Sequence, residues 1–387
     1  MSVFGIVCET NPIHNGHKLL IDTAKEMGAS TVVCVMSGNS VQRGEFAIAD
    51  KYVRAEALLR CGADLVLELP FPWSSSSAEY FALAAVSMLR HFCDKVIFGS
   101  ECGNINILSD AAEYAGGADF KREYNILLAD GAPAAGTYFK MLERCTGETL
   151  SSNDLLGIEY IKAAKKLQAD LKFVTLRRKG DGYTSKCVTE RAYPSAMAVR
   201  KLWRENITTN MSEYMPQEAV EIYSRAVNEK NIMDDSVLDT VLLTFFRMHT
   251  GSDFEGVVGA SGGLANRICE MSHKASSADE LLALVKNKRY TDSNIRRTML
   301  YCMAGVERQQ IEALPEETLL LAANAKGREL LATNRKKEGM KILSKPADLD
   351  MSLPQNILAQ RIDSIYTLLF NKKQPSDKYI KKGPIII

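Results

Sequence analysis

The sequence predicts an α/β protein, with a parallel sheet in its first half and a mainly helical second half. Short apolar runs alternate with helix-periodic segments as far as Leu176, the pattern of βαβ units. From about Pro194 the strand signals fade and apolar residues recur at helical spacing. The chain has 387 residues, long enough for two or three domains. These patterns divide it at 1–200 and 201–387, with Val199–Asn206 as the junction.

Val3–Cys8 reads as a buried first strand, because its apolar run shows no alternation with polar residues. Glu9–Ile13 turns the chain, and a helix covers Gly16–Met27. Thr31–Met36 is a second strand, followed by a polar loop, Ser37–Glu45. A helix over Lys51–Cys61, a strand over Asp64–Leu69, a helix over Ala78–Phe92 and a strand over Lys95–Phe98 follow. A long helical stretch covers Ile105–Arg144, then come a helix over Leu155–Leu167 and a fifth strand over Lys172–Leu176. In the second half, Met215–Val227, Met233–Met248, Gly263–Ser272, Ala278–Val285 and Asn294–Met303 read as helices. Glu317–Ala323 returns to a strand pattern and Gln355–Asn371 is a late helix. The basic tail closes on Ile385-Ile386-Ile387, which reads as an edge strand or an unstructured end.

Composition narrows the function classes. The chain is 46% hydrophobic and 25% charged, with a formal net charge of +1. No global field directs it to nucleic acid or membrane, so a polyanion site must come from local clustering. The nine cysteines are odd in number and form no Cys-x-x-Cys pair, and Cys8 and Cys34 fall inside apolar strands. That pattern points to a reducing compartment and to neither a disulfide scaffold nor a zinc site. The strand-like start is unlike a signal peptide, and no run is long enough to cross a bilayer. The expectation is a cytoplasmic protein without membrane partners.

The chemistry concentrates at His14-Asn15-Gly16-His17, between the first strand and the first helix. Gly16 lets a phosphate approach the backbone, and the helix start adds free N–H groups and partial positive charge. Two imidazoles then face the place where negative charge gathers on a triphosphate, which points to nucleotidyl transfer. The same residues also fit a metal pair or an ordinary helix start. Position favours the first reading, because open α/β sheets bind ligands beyond the carboxyl ends of their strands.

Other segments supply supporting groups. Ser37, Asn39, Gln42 and Arg43 lie in the loop after the second strand, which otherwise reads as a solvated surface loop. Phe98-Gly99-Ser100-Glu101 follows the fourth strand, where Gly99 lets a purine or ribose lie on the backbone. Ser152-Asn153-Asp154 reads first as an N-cap cluster. Arg177-Arg178-Lys179-Gly180-Asp181-Gly182-Tyr183 makes a phosphate clamp or a solvated basic turn. Ser195 reads as a helix N-cap, with Arg200 as a further anion group facing the histidine turn. Lys286, Lys288, Arg289, Arg296 and Arg297, with Tyr290 among them, suit phosphate contacts and base stacking; the competing view is a solvated face.

Together, Glu9–His17, Val35–Asn39, Gln42–Glu45, Gly62–Pro70, Phe98–Glu101, Leu156–Tyr160, Arg177-Arg178 with Gly182-Tyr183, and Lys288–Thr291 closely resemble the tRNA(Met) cytidine acetate ligases. The resemblance spans essentially the whole chain. It implies a Rossmann-like nucleotidyltransferase domain with a parallel sheet, followed by a mainly helical C-terminal domain that binds tRNA. It implies that acetate attacks ATP to give acetyl-adenylate and pyrophosphate, and that N4 of the wobble cytidine of elongator tRNA(Met) then takes the acetyl group. It places ATP contacts on Val7, Cys8, Glu9, Thr10, Asn11, Pro12, Ile13, His14, Asn15, Gly16, His17, Lys18, Leu19 and Leu20, and on Gly99, Asn153 and Arg178. His14, His17 and Arg178 would be the catalytic groups, and Mg²⁺ would travel with ATP. The chain departs from the family pattern at Thr10 and Ile13, where aromatics are usual, and at Ser152, Asp154 and Gly262. The competing functions are a nucleotidyltransferase that adenylates a small phosphorylated metabolite, and a non-catalytic RNA-binding protein on a degenerate nucleotide fold.

Overall fold

The computed structural model describes residues 2–130, 132, 134–178, 196, 199–200, 211–334 and 339–387. The anticipated cap at Ser195, the turn Lys179–Tyr183 and most of the junction lie outside these residues. The first half runs β1 (Ser2–Cys8), α1 (Asn15–Glu26), β2 (Ala29–Ser37), a small hairpin of β3 (Ser40–Val41) and β4 (Glu45–Phe46), α2 (Lys51–Arg60), β5 (Leu65–Leu69), α3 (Ala78–Leu89) and β6 (Lys95–Ser100). It continues with α4 (Ile105–Gly116), α5 (Ala118–Ala129), α6 (Ala134–Thr146), α7 (Ser152–Lys166) and β7 (Lys172–Arg177). The second half runs α8 (Gln217–Asn228), α9 (Asp235–Arg247), α10 (Leu264–Ser272), α11 (Ala278–Val285), α12 (Asp292–Ala304) and α13 (Arg308–Glu312). Then follow β8 (Glu317–Ala323), α14 (Ala325–Asn334), β9 (Lys341–Leu343), α15 (Pro354–Leu368) and β10 (Ile385–Ile386).

The anticipated single stretch over Ile105–Arg144 is three helices. Its first break is at Gly117, whose extended backbone (φ −72°, ψ 158°) ends α4 and starts α5. Glycine offers no side-chain packing to hold the helix through that point.

One eight-stranded sheet organises the fold, in the order β10-β8-β5-β2-β1-β6-β7 with β9 beside β8. β5, β2, β1, β6 and β7 are parallel, as the alternation predicts. β8 pairs antiparallel with β5, so the sheet takes strands from both sides of position 200. Successive residues of β2 feed opposite cores: Val32, Cys34 and Met36 pack on one face, Val33 and Val35 on the other. Both faces are covered by helices, which is why these strands read as continuous apolar runs. Helices α9–α12 enclose a separate apolar core around Phe246, Leu264, Ile268, Leu281 and Ile295.

The strand order sets the place of the site. The chain moves from β1 through β2 to β5, then returns to the other side of β1 for β6 and β7. β1 stays paired with β2 as far as Cys8↔Met36, whereas its pairing with β6 stops at Gly5↔Val96. A crevice therefore opens between the carboxyl ends of β1 and β6, at a topological switch point.

A buried charge cluster fixes the loop on the β2 side of that crevice. Lys51 Nζ lies 2.8 Å from both Glu68 Oε2 and Asp363 Oδ2. Asn39 donates from Nδ2 to Asp363 Oδ1 (2.8 Å) and accepts the Lys51 N–H at Oδ1 (2.9 Å). Burial works against the Lys51 ammonium, but Asp363 and Glu68 together hold its pKa above the usual lysine value. Removing one member of such a cluster leaves buried charge uncompensated, at a cost of about 3–5 kcal/mol. Lys51→Ala should lose that much stability in denaturant titration, and a loss under about 1 kcal/mol would show that the cluster does not behave as a buried ion pair.

Candidate active site

The crevice forms an open cavity lined on one side by Ile6–Asn11, His14, Gly16, His17, Leu19 and Leu20. Gln42 from the β3–β4 turn, Phe98 and Gly99 from β6, Asn153, Leu156 and Tyr160 from α7, and Leu176–Arg178 complete most of the wall. Ten members of the anticipated strip, Val7, Cys8, Glu9, Thr10, Asn11, His14, Gly16, His17, Leu19 and Leu20, line it together with Gly99, Asn153 and Arg178. Pro12, Ile13, Asn15 and Lys18 are not among its lining residues. Ile13 is fully buried in the core, Asn15 binds the Tyr214 and Glu213 carbonyls, and Lys18 pairs with Asp22 at 2.7 Å.

The two histidines cap α1 reciprocally. The Gly16 N–H donates to His14 Nδ1 (3.1 Å) and the His14 N–H donates to His17 Nδ1 (3.2 Å). Each Nδ1 is thus an acceptor, so the neutral ring carries its proton on Nε2 and has one N–H left to donate. The ring centroids lie 4.0 Å apart. Burial, then His17 and the Arg178 guanidinium, hold His14 well below the usual histidine pKa. Burial and Arg178 push His17 down to about 3. Gly16 also has a packing role, since a Cβ there would come within 2.9 Å of His14 Cε1.

Arg178 crosses Gly99, where a Cβ would lie 3.2 Å from the Arg178 Cγ. Its Nε is 3.4 Å from Glu101 Oε1. Asn153 Nδ2 donates to the same oxygen (2.8 Å), and Ser151 Oγ donates to Glu101 Oε2. Sequence reasoning did not give Glu101 this tethering role; its place directly after a strand end was the available signal. The N-cap of α7 is Ser151, one residue before the anticipated cluster. Asp154, a departure from the family pattern, accepts from Ser151 N–H, Ser100 Oγ and Cys102 N–H.

The β2 side is held by arginines. Arg54 donates to the Glu9, Ser37 and Gly38 carbonyls. Arg200, expected to face the histidine turn as an anion site, instead braces it by donating to the Asn11 carbonyl and to Glu45 Oε2. Arg296 binds Glu45 Oε1 at 2.7 Å. Arg297 donates to the Ser75 and Gln42 carbonyls at 2.8 and 3.3 Å. Arg296 and Arg297 therefore tie α12 to the loop after β2, apart from the exposed basic run. In that run Lys286 pairs with Asp292, Lys288 is exposed, and Arg289 lies over the Tyr290 ring. Glu9 is the one carboxylate among the described residues that line the cavity, so no acidic cage for a metal ion is built there. Among the described residues no group of three or more His, Cys, Asp or Glu is placed to hold a metal, and no helix is long and apolar enough to cross a membrane.

Comparison with known proteins resolves the alternatives. The model of the HIGH Nucleotidyl Transferase family matches residues 1–380. The chain belongs to this family. Among curated members it is 32% identical to the tRNA(Met) cytidine acetate ligase of Thermoanaerobacter sp. (strain X514), over 96% of each chain. It is 32% identical to the Clostridium botulinum (strain Okra / Type B1) protein of the same name, covering 100% of this chain and 99% of that one. The crystal structure of apo Thermotoga maritima TmcAL superposes with a TM-score of 0.93 at 31% identity, with both chains fully covered. The structure of the same protein bound with alpha-thio ATP gives 0.88 at 30% identity, again with full coverage. A Rossmann-like nucleotidyltransferase fold is thereby established for the chain, and membership in a ligase family favours neither the metabolite-adenylating nor the non-catalytic alternative.

Two outcomes follow from this geometry. Between pH 6.5 and about 3 the unfolded chain protonates His17 while the folded chain does not. The unfolded state then binds more protons, so stability falls as pH drops through that window. His17→Gln should flatten this acid-side loss in denaturation curves measured from pH 7 to 4. Separately, Lys288→Ala with Arg289→Ala should leave the melting temperature near the parent value, whereas Arg297→Ala, which strands two carbonyls, should lower it by several degrees, about 1–3 kcal/mol.

Proposed function

We propose that this chain activates acetate with ATP and acetylates N4 of the wobble cytidine of elongator tRNA(Met). The observation that carries the proposal is the pair of neutral imidazoles at the start of α1, each accepting at Nδ1 and so carrying its proton on Nε2, beside Arg178 at the switch point. The alpha-thio ATP complex of the Thermotoga protein and the names of the curated relatives support it.

In this reading the purine lies against Phe98, Gly99 and Leu156, and the phosphates meet His14, Gly16, His17 and Arg178. An acetate oxygen bonds to the α-phosphorus while the bond to the β-phosphate bridge oxygen breaks, and pyrophosphate leaves with that electron pair. The histidine N–H donors and the Arg178 guanidinium stabilise the charge that develops on the phosphate oxygens. Because both rings stay neutral, they donate without exchanging protons, and the chain supplies no nucleophile. The cavity's function is to hold the two reactants in line. Mg²⁺ would come with ATP as part of the substrate and would offset charge on its phosphates. The cytidine N4 then attacks the acetyl carbonyl, loses its proton and releases AMP. Within 201–387, the helical cluster α9–α12 presents Lys288 and Arg289 to the tRNA backbone.

The test is incubation with ATP, labelled acetate and total tRNA, followed by nucleoside analysis for N4-acetylcytidine. Label in acetylated cytidine from the parent chain, with acetate-dependent ATP–pyrophosphate exchange cut by about a hundredfold in a folded His17→Ala variant, is the expected result. Exchange near the parent rate in that variant would remove His17 from the reaction. Lys288→Ala with Arg289→Ala should weaken tRNA binding and lower its salt dependence while sparing the exchange reaction.

A further inference from the structure

One proton of the reaction lacks an acceptor: the one that cytidine N4 loses as it takes the acetyl group. The groups of the cavity wall narrow the choice. His14 and His17 each accept a backbone N–H at Nδ1 and carry a proton on Nε2, so neither ring has a free basic nitrogen. An arginine does not give up its proton, which excludes Arg177 and Arg178. Cys8 and Cys34 share a hydrogen bond, and Tyr160 packs against Phe98 at the purine end. Glu9, the one carboxylate among the described lining residues, is left.

Glu9 is built firmly into the wall. It is half-buried, its Oε1 accepts the Gln42 N–H at 2.7 Å, and its backbone carbonyl accepts from Arg54 at 2.8 Å. Thr10, the next residue, is held at a left-handed φ of 47°, a costly conformation for a β-branched side chain that the surrounding structure must enforce. Tyr223 braces that turn by donating to the Thr10 carbonyl at 3.3 Å. Glu9 Oε2 accepts no hydrogen bond among the described residues and is not closed off from solvent.

Charge and position both suit proton removal. A carboxylate repels a triphosphate, so Glu9 differs in kind from the donors around it. Burial holds its pKa above the usual glutamate value against the pull of Arg43 and Arg200, and Glu45 adds to the rise. It is therefore a stronger base than a solvated carboxylate. In-line attack leaves the acetyl group on the side of the α-phosphorus away from the pyrophosphate and its histidines. With the purine on the β6 side of β1, the β2 side, where Gln42 holds Glu9, is the end left for the acetyl group and the incoming cytidine.

We propose that Glu9 is the general base of the transfer step. Its Oε2 takes the N4 proton as N4 bonds to the acetyl carbon. The bond from that carbon to the AMP phosphate oxygen breaks, and AMP leaves with the electron pair. The proton then passes from Glu9 to solvent through the open cavity. The inference rests on the reading that this site acetylates cytidine, and it gives Glu9 a role beyond the ATP contact that the family resemblance assigns to it.

The experiment is Glu9→Gln, which keeps an oxygen for the Gln42 N–H and removes the base. Two reactions are followed. One is acetate-dependent ATP–pyrophosphate exchange. The other is single-turnover transfer, in which enzyme preincubated with ATP and labelled acetate is mixed with an elongator tRNA(Met) transcript. Transfer should slow by about 10²- to 10⁴-fold, and by at least about tenfold more than exchange. Transfer slowed by less than about tenfold, or exchange falling by the same factor as transfer, overturns the proposal. A second measurement needs no variant. In the parent chain the single-turnover transfer rate should rise from about pH 4.5 as Glu9 deprotonates and level off before about pH 8, with a midpoint above the usual glutamate value. The negative charge of the adenylate phosphate moves that midpoint further up. A transfer rate that is flat across the range overturns the proposal. Absence of exchange or of transfer in the parent chain removes the functional reading and this inference together. Both reactions in the parent, with a flat profile or an unimpaired Glu9→Gln variant, remove the inference alone.

Discussion

β1 holds β2 along its length and parts from β6 after Gly5↔Val96. Every feature of the site follows from that parting. Backbone groups beyond it no longer satisfy one another across the gap, and α1 begins within a few residues of the end of β1. The turn Glu9–Ile13 must therefore carry the chain over the crevice. Buried arginines hold it from below: Arg54 on the Glu9 carbonyl and Arg200 on the Asn11 carbonyl. The turn owes its shape to these side chains as much as to its own backbone.

The electrostatic arrangement suits an anionic substrate. Arg178 lies near both imidazoles and helps keep them uncharged. The cavity thus holds its positive charge on guanidinium, which does not titrate in the working range, and uses histidine as a neutral donor. The arrangement of donors is in place before substrate arrives, because each ring is locked through Nδ1. Preorganised donors need no reorientation as charge develops in the transition state.

Much of this was legible in the sequence, and the exceptions have physical causes. Apolar runs such as Val3–Cys8 and Thr31–Met36 revealed the parallel sheet, because strands buried on both faces carry no alternation. The His14–His17 turn pointed to the carboxyl end of β1, where the structure brings His14, Gly16 and His17 together in the cavity wall and also uses both rings to cap α1. What escaped were long-range partners. Nothing local marks Arg296 and Arg297 as braces for a loop some 250 residues earlier, since a cluster of cations reads alike on a solvated face and in a buried tie. Likewise Glu101 gains its meaning only from Asn153 and Ser151, and Glu317–Ala323 from its seat beside β5.

That seat also bears on how the protein is made. The exposed edge of β5 is a row of unpaired backbone groups until β8 covers it, and β8 lies beyond the entire helical excursion. During synthesis the ATP-facing half must wait on the ribosome with an open sheet margin while α8–α13 emerge. Such a margin invites pairing with other nascent chains. Cutting the protein near position 200 would leave that margin permanently bare, so the two parts of the chain are joined by the needs of folding.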